Sequence, residues 1–388
     1  MKKILYSFIA LAMVGTFASC ASDDDPVVSG GGSTSAWTNP LNDTIPYATA
    51  KAALPTVDNL LADYVANVVK PTYTELRDGN AKLSDAVNKF VDNATQANLE
   101  AAASEWISAR GPWEKSEAFL FGPVGDMELD PNMDSWPLKR SEIQQIITAG
   151  EVPGATAQDI IGFHTLEYLL YQDGQARNIA TDAEYKANPE NYRNYMKAVA
   201  SYLKNDAATL YEAWFVGEGK YEDEFKGEGT ASLYEILQGM WDIANEVGGA
   251  KIGEPYALYL DGQTDDALYA VESWYSWHSR QDYCNNIRSI KYCYMGQRTE
   301  DYGKTAVAAS NSLSAYVSAT LGVEYDNKMR KAINDAMNAI WDIEDPFRNH
   351  IASKGSQVAM EKCAVLRDVI KEITGKLGGE ISEGEEEE

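Results

Sequence analysis

Apolar residues recur at helical spacing along almost the whole chain, and no run of alternating strands interrupts them. The pattern predicts helices over 57–69, 82–90, 97–121, 157–171, 189–215, 232–246, 266–277, 280–294, 307–321, 327–343 and 357–377. Turn residues separate them at Gly122-Pro123, between Gly150 and Gly154, between Gly217 and Gly229, and between Gly248 and Gly262. The Gly/Glu/Lys-rich stretch 217–229 is the expected linker between a helical domain over 45–216 and a second over 230–378. Each holds enough helices for a bundle. Ser116 to Gly122 and Ser289 to Gly296 both read as an aromatic helix end closed by glycine, the trace a duplication would leave. The expected fold is all-α, with two bundle-like domains related by duplication.

The first residues break this pattern. Lys2 and Lys3 precede an apolar run over 4–17, too short for a membrane span and of the length of a signal-peptide core. Phe17-Ala18-Ser19-Cys20 has the shape of a bacterial lipoprotein cleavage site. Residues 1–19 therefore read as a signal peptide and Cys20 as the lipidated first residue of the mature chain. Residues 20–44 read as a flexible tether: Asp23 to Asp25 resemble an acidic export tag, and Gly30 to Ser35 form a spacer. The expected location is the bacterial outer membrane, surface-exposed, with its periplasmic face as the alternative. Residues 379–388 read as an acidic, disordered tail.

The net charge of −26 argues against a nucleic-acid partner. Cys284 and Cys293 fall on one predicted helix, about 13 Å apart along its axis and beyond disulfide reach. Either pairs with Cys363, or all three are buried thiols.

Within the predicted helix 157–171, Thr156 and Asp159 approximate a capping box. His164 and Glu167 lie about 60° apart, in the middle of the apolar arc. An imidazole and a carboxylate placed there must be hydrogen-bonded, paired or metal-bound. Gly162, a mid-helix glycine in this reading, marks close approach by another backbone or a ligand. On 97–121, Arg110 and Glu117 share an aromatic face with Trp106, Trp113 and Phe121, and Gly111-Pro112 should kink the helix. On 280–294, Asp282, Asn286 and Ser289 form a polar stripe suited to an interdomain surface, while Arg288 and Lys291 read as solvent-facing. His278 precedes this helix, within reach of the same cleft, and His350 reads as structural or exposed.

The segment GFHTLEYLLY, residues 162–171, resembles the GxHxxE motif of imelysin-like proteins. Other family landmarks occur in order: Ala109 to Trp113 with Ser116 to Pro123, then Ser135-Trp136-Pro137-Leu138, then Ser276 with Asp282 to Gly296, and last Asp345-Pro346-Phe347. The resemblance extends over residues 45–375. It implies two helical domains with the motif near the cleft between them, in a bacterial envelope protein associated with iron uptake. The expected ligand or metal-binding residues are His164, Glu167, Glu117, Asp282 and Asn286. Gly162, Arg110, Trp113, Trp136, Ser276 and His278 are expected to support them. Mixed nitrogen and oxygen ligation suits iron, zinc or manganese and does not choose among them. Imelysin itself was classed as a metallopeptidase. That alternative would use His164, Glu167 and His278 as zinc ligands and Glu117 as general base. The third alternative is a non-catalytic structural or interaction lipoprotein. Expected partners are the membrane, through Cys20, and components of iron uptake.

Overall fold

Two predicted helices, 57–69 and 82–90, turn out to be one continuous rod in the computed structural model, which describes residues 44–298 and 308–383. Val57–Tyr64 runs through a π turn at Val65–Val69 into Lys70–Asp92. Thr56 caps its start by accepting from the Asn59 amide at 3.2 Å. Pro71 follows the π turn directly, in the first turn of Lys70–Asp92, where its missing N–H is tolerated. The segments expected as signal peptide and tether, apart from Thr44, and the end of the expected acidic tail lie outside the described residues, Cys20 with them.

The described chain is helical nearly throughout, as the periodicity predicts, with one small hairpin pairing Tyr171–Gln172 with Gln175–Ala176. Lys70–Asp92 packs against Gln96–Glu114 and Pro189–Phe215. Later in the chain, Lys354–Lys376 packs against Thr230–Glu246 and Val323–Trp341. No helix among the described residues is long and apolar enough to cross a membrane.

Several boundaries move, and the moves decide the site. The helix expected over 97–121 ends at Glu114, with Pro112 in its last turn, and a single 3-10 turn follows at Glu117–Phe119. The expected Arg110–Glu117 face is therefore broken, and Arg110 pairs instead with Glu114, four residues on, at 2.5 Å. The helix expected over 157–171 begins at Gly162, after a 3-10 turn at Gln158–Ile160, so Thr156 does not cap it. Gly162 is thus a first-turn residue with φ +86°, a conformation that favours glycine. A Cβ there would lie 2.6 Å from the Met133 carbonyl oxygen, so the expected close approach is by backbone. The helix expected over 266–277 stops at Ala270, and residues 271–278 form an irregular loop with Ser273 and Trp277 at positive φ. Arg140–Ala149, absent from the periodicity reading, is a helix.

The helix Ser279–Met295 has sixteen of its seventeen residues buried, so the solvent face expected for Arg288 and Lys291 does not exist. It is enclosed by Gln96–Glu114, Thr230–Glu246, Leu313–Leu321 and Val323–Trp341. Cys284, Cys293 and Cys363 are buried free thiols, each pushed up to about 12 by burial. His350 is exposed.

Candidate functional site

Arg110 sits at the centre of a buried polar network, and four carboxylates surround its guanidinium. Glu114 and Glu272 approach Nη2 at 2.5 Å, Asp134 pairs with Nη1, and Asp282 reaches Nε at 3.4 Å. All five side chains are essentially shut off from solvent. A bare cation this deep would be prohibitive, and only such a ring keeps it charged. Burial works against the charge, but the four anions hold the Arg110 pKa well above its ordinary value.

The ring is assembled from distant parts of the chain. Asp134 ends the short helix Leu129–Asp134, and Trp113 Nε1 donates to its Oδ2 at 2.7 Å. Glu272 belongs to the irregular loop 271–278, which the hairpin clamps: Gly174 N donates to Tyr275 O at 2.9 Å. Asp282 comes from Ser279–Met295 and accepts from Ser273 Oγ at 2.6 Å. Asn286, one turn further, donates to Glu114 Oε2 at 2.6 Å. Trp106 Nε1 donates to Phe163 O at 2.9 Å and fixes the motif helix on Gln96–Glu114.

His164 has carboxylates on both ring nitrogens. Nδ1 lies 3.3 Å from Glu167, and Nε2 lies 3.1 Å from Asp134 and 3.2 Å from Glu272. This is the setting of an imidazolium, which donates from both nitrogens. Burial and the Arg110 charge oppose protonation, yet Asp134, Glu167 and Glu272 outweigh them and hold the pKa well above the usual histidine value. Glu167 is anchored from the loop by Ser276, whose N and Oγ donate to Oε1 at 2.8 and 2.7 Å.

Lys251 continues the network. It ends a π turn at Val247–Lys251, is fully buried, and contacts Glu272 at 2.8 Å, Glu246 at 3.6 Å and Glu117 at 3.9 Å. Its Nζ also lies 4.7 Å from the centre of the Trp136 ring, and that ring meets the His164 imidazole edge-on at 6.3 Å.

Beyond Lys251 the network opens into a pocket of about 450 Å³. Glu117, Asp130, Asp134, Glu235, Asp242 and Glu246 line it, and no Lys, Arg or His does. Protonation follows the local balance of charge: Glu114, although beside Arg110, is held well above the usual carboxylate range by burial and by its neighbours Glu272 and Asp282. Burial raises Asp134, Glu272 and Asp282, but the cations beside them win and hold all three low. At the pocket, burial raises Glu117 and Lys251 only partly offsets it, so Glu117 stays well above the usual carboxylate range. Glu246 is raised for the same reasons.

Arg110, Trp113, Trp136, His164, Glu167, Ser276, His278, Asp282 and Asn286, all expected at the site, do gather here. His278 stays with Asp282, its Nδ1 3.0 Å from Oδ1, and His164, Glu167 and His278 do not form a ligand group among the described residues. The groups with metal-compatible spacing are Asp134, His164 and Glu272, and Glu114, Glu117 and Asp134; within each, ligand atoms lie within 4.8 Å of one another. Sequence reasoning missed Glu114, Asp134, Lys251 and Glu272. Asp134 had a usable signal, standing one residue before the Ser135-Trp136 landmark.

An all-helical fold around a buried Arg–His–carboxylate ring, with an acidic pocket beside it, is the class of protein these features define. The chain belongs to the imelysin family, whose model matches residues 69–373. It is 30% identical over 309 residues to iron-regulated protein A of Synechococcus elongatus, covering 76% of this chain and 79% of that one. The crystal structure of a putative iron-regulated protein A precursor from Parabacteroides distasonis superposes with a TM-score of 0.75 at 31% identity, over 86% of this chain and 99% of that one. An imelysin-like protein from Psychrobacter arcticum shares the fold, with a TM-score of 0.60 at 14% identity over 86% and 100% of the two chains.

Proposed function

We propose that this chain is an iron-linked binding protein that takes a metal cation, free or within a metal-containing ligand, at the junction of the acidic pocket and the buried network. The carrying observation is the pocket lining: six carboxylates and no basic side chain. Glu117 is the pivot. Its side chain is 6% exposed, and its contact with Lys251 at 3.9 Å is too long for a hydrogen bond. With Glu114 and Asp134 it offers an all-oxygen group, suited to hard cations. The Asp134–His164–Glu272 group is a poorer candidate, because Asp134 and Glu272 hold the Arg110 guanidinium and His164 is set up as an imidazolium; in the all-oxygen group Glu114 and Asp134 also pair with Arg110, and Glu117 is the ligand not committed to it. His164 and Glu167 then act as positioning residues, fixing Asp134 and the loop 271–278.

The site would lie at the interface of two related helical domains, on a chain tethered through lipidated Cys20 to the outer membrane. Labelled palmitate incorporation, lost in Cys20→Ser, tests the tether. Calorimetric titration with iron, manganese, calcium and zinc ions tests the site. Saturable binding of at least one, weakened at least tenfold in Glu117→Gln with the fold intact, is the expected result. Equal binding by the variant would remove the pocket from the mechanism.

The peptidase reading draws no support from the geometry, since His164, Glu167 and His278 do not converge on one point among the described residues. Hydrolysis of an unfolded protein substrate that is lost in Glu167→Gln would reinstate it.

A further inference from the structure

A second cavity, of about 490 Å³, shares no lining residue with the acidic pocket and sets three arginines, Arg140, Arg177 and Arg348, beside three carboxylates, Asp173, Asp182 and Glu184. Arg140, Arg348, Tyr269, Trp274 and Tyr275 form its working wall. The guanidinium carbons of Arg140 and Arg348 lie over ring faces, 3.3 Å from the Tyr269 centroid and 4.3 Å from that of Trp274. Trp274 and Tyr275 are packed together, their centroids 4.0 Å apart. Stacking uses the flat faces of these guanidinium groups and leaves their N–H edges to donate.

Several of those donors lack acceptors, although Arg348 Nη1 donates to Trp274 O at 3.4 Å. Arg140 has no carboxylate partner among the described residues, although the chain carries a net charge of −26. The Arg348 Nε is buried with no hydrogen-bond acceptor. So is the hydroxyl of Tyr275, a residue only 7% exposed. Arg140, Arg348 and Tyr275 all line this one cavity. The acids on the same cavity do not meet this demand. Asp182 and Glu184 are held by Arg177, at 2.8 and 3.2 Å, and Asp173 lies 3.6 Å from the other end of Arg348. A buried donor without an acceptor is costly, and a site that brings several together is organised for a ligand that accepts. The cavity volume suits a small organic molecule.

The geometry points to a binding site for an aromatic carboxylate, with the carboxylate held by Arg140, Arg348 and the Tyr275 hydroxyl and the ring laid along the Trp274–Tyr269 wall. Arg140, Tyr269, Trp274 and Tyr275 also line a narrow crevice of about 20 Å³ that reaches His164 and Glu167. A ligand in this cavity would therefore sit beside the loop that carries Glu272 and Ser276. The inference stands apart from the metal reading, since no residue of the acidic pocket takes part.

The test is calorimetric titration of the full chain with 2-hydroxybenzoate in metal-free buffer. Benzylamine is the probe with the ring and opposite charge, and acetate is the probe with the carboxylate and no ring. Saturable binding of 2-hydroxybenzoate alone is expected. Arg140→Gln should weaken it about tenfold or more, as loss of a charge-assisted contact does. Tyr275→Phe keeps the ring packing and should weaken it about fivefold. Unchanged melting of both variants without ligand confirms that they fold. No binding at millimolar 2-hydroxybenzoate, equal binding of benzylamine or acetate, or equal affinity in both variants would overturn the assignment.

Discussion

Around Arg110, carboxylates crowd a guanidinium and three of them are held low; around Glu117, carboxylates outnumber the one nearby ammonium and sit high. The residue types are the same, and both Arg110 and Glu117 have buried side chains. The difference is the ratio of cations to anions within a few ångströms. At the centre the protein supplies its own counterion, and burial strengthens the pairing. At the pocket it supplies too few, and burial favours taking up a proton or another cation. The centre is a structural lock, and the pocket edge is where charge is still missing.

The largest test of this contrast removes the lock. Arg110→Gln should destabilise the fold by about 3–5 kcal/mol, because it leaves several buried anions without their partner. Arg110→Lys should recover only part, since an ammonium lacks the fork that serves four carboxylates. Chemical denaturation measures both, and near-native stability of Arg110→Gln would break the comparison.

Gly162→Ala should cost about 2–3 kcal/mol, from the positive φ and the Cβ pressed on the Met133 carbonyl. It strains the seat of His164 against Asp134 and leaves Glu117, the pivot of the pocket, in place. Cation affinity should therefore stay within a few-fold of wild type while the melting temperature falls, which separates the two regions.

Glu117→Gln should do the reverse. Neutralising an under-compensated buried carboxylate should raise stability by about 1 kcal/mol while cation binding weakens. Destabilisation by this variant would mean that the Lys251 contact matters more than the missing charge.

The smallest effect is in pH. Asp134, Glu272 and Asp282, held low, stabilise the fold above the ordinary carboxylate range and lose that contribution as pH falls through about 4 and below. Glu117, held high, keeps a proton that the unfolded chain has released, so its cost grows as pH rises above about 4. His164, also held high, contributes most below about 6.5 and loses that contribution as pH rises through its folded value. Urea unfolding should therefore show maximum stability between about 4.5 and 6.5. Cation binding should weaken as pH falls and Glu117, held high, takes up its proton. A stability maximum at pH 8 would contradict the high Glu117.

Much of the fold was legible because helices with one apolar face announce themselves. The failures share a cause. Ser279–Met295 is enclosed on all sides, so a wheel that assigns Arg288 and Lys291 to water has no water to point to. His164 and Glu167 were legible as polar residues on an apolar arc, and Asp282 as part of a polar stripe. Lys251 and Glu272 were not: one ends a π turn in a glycine-rich stretch, and the other lies in a loop that read as helix. Neither segment has the regular period that would make a buried charge stand out. Glu117 was placed by a wheel that assumed an unbroken helix, and the break after Glu114 gave its role at the centre to Glu114.

The internal counterion has a consequence for the life of the molecule. Because Arg110 already neutralises the deepest carboxylates, the chain needs no cargo to complete its architecture. On the proposed reading such a chain would load and unload without falling apart, as a reusable vessel does and a protein stapled together by its cargo does not.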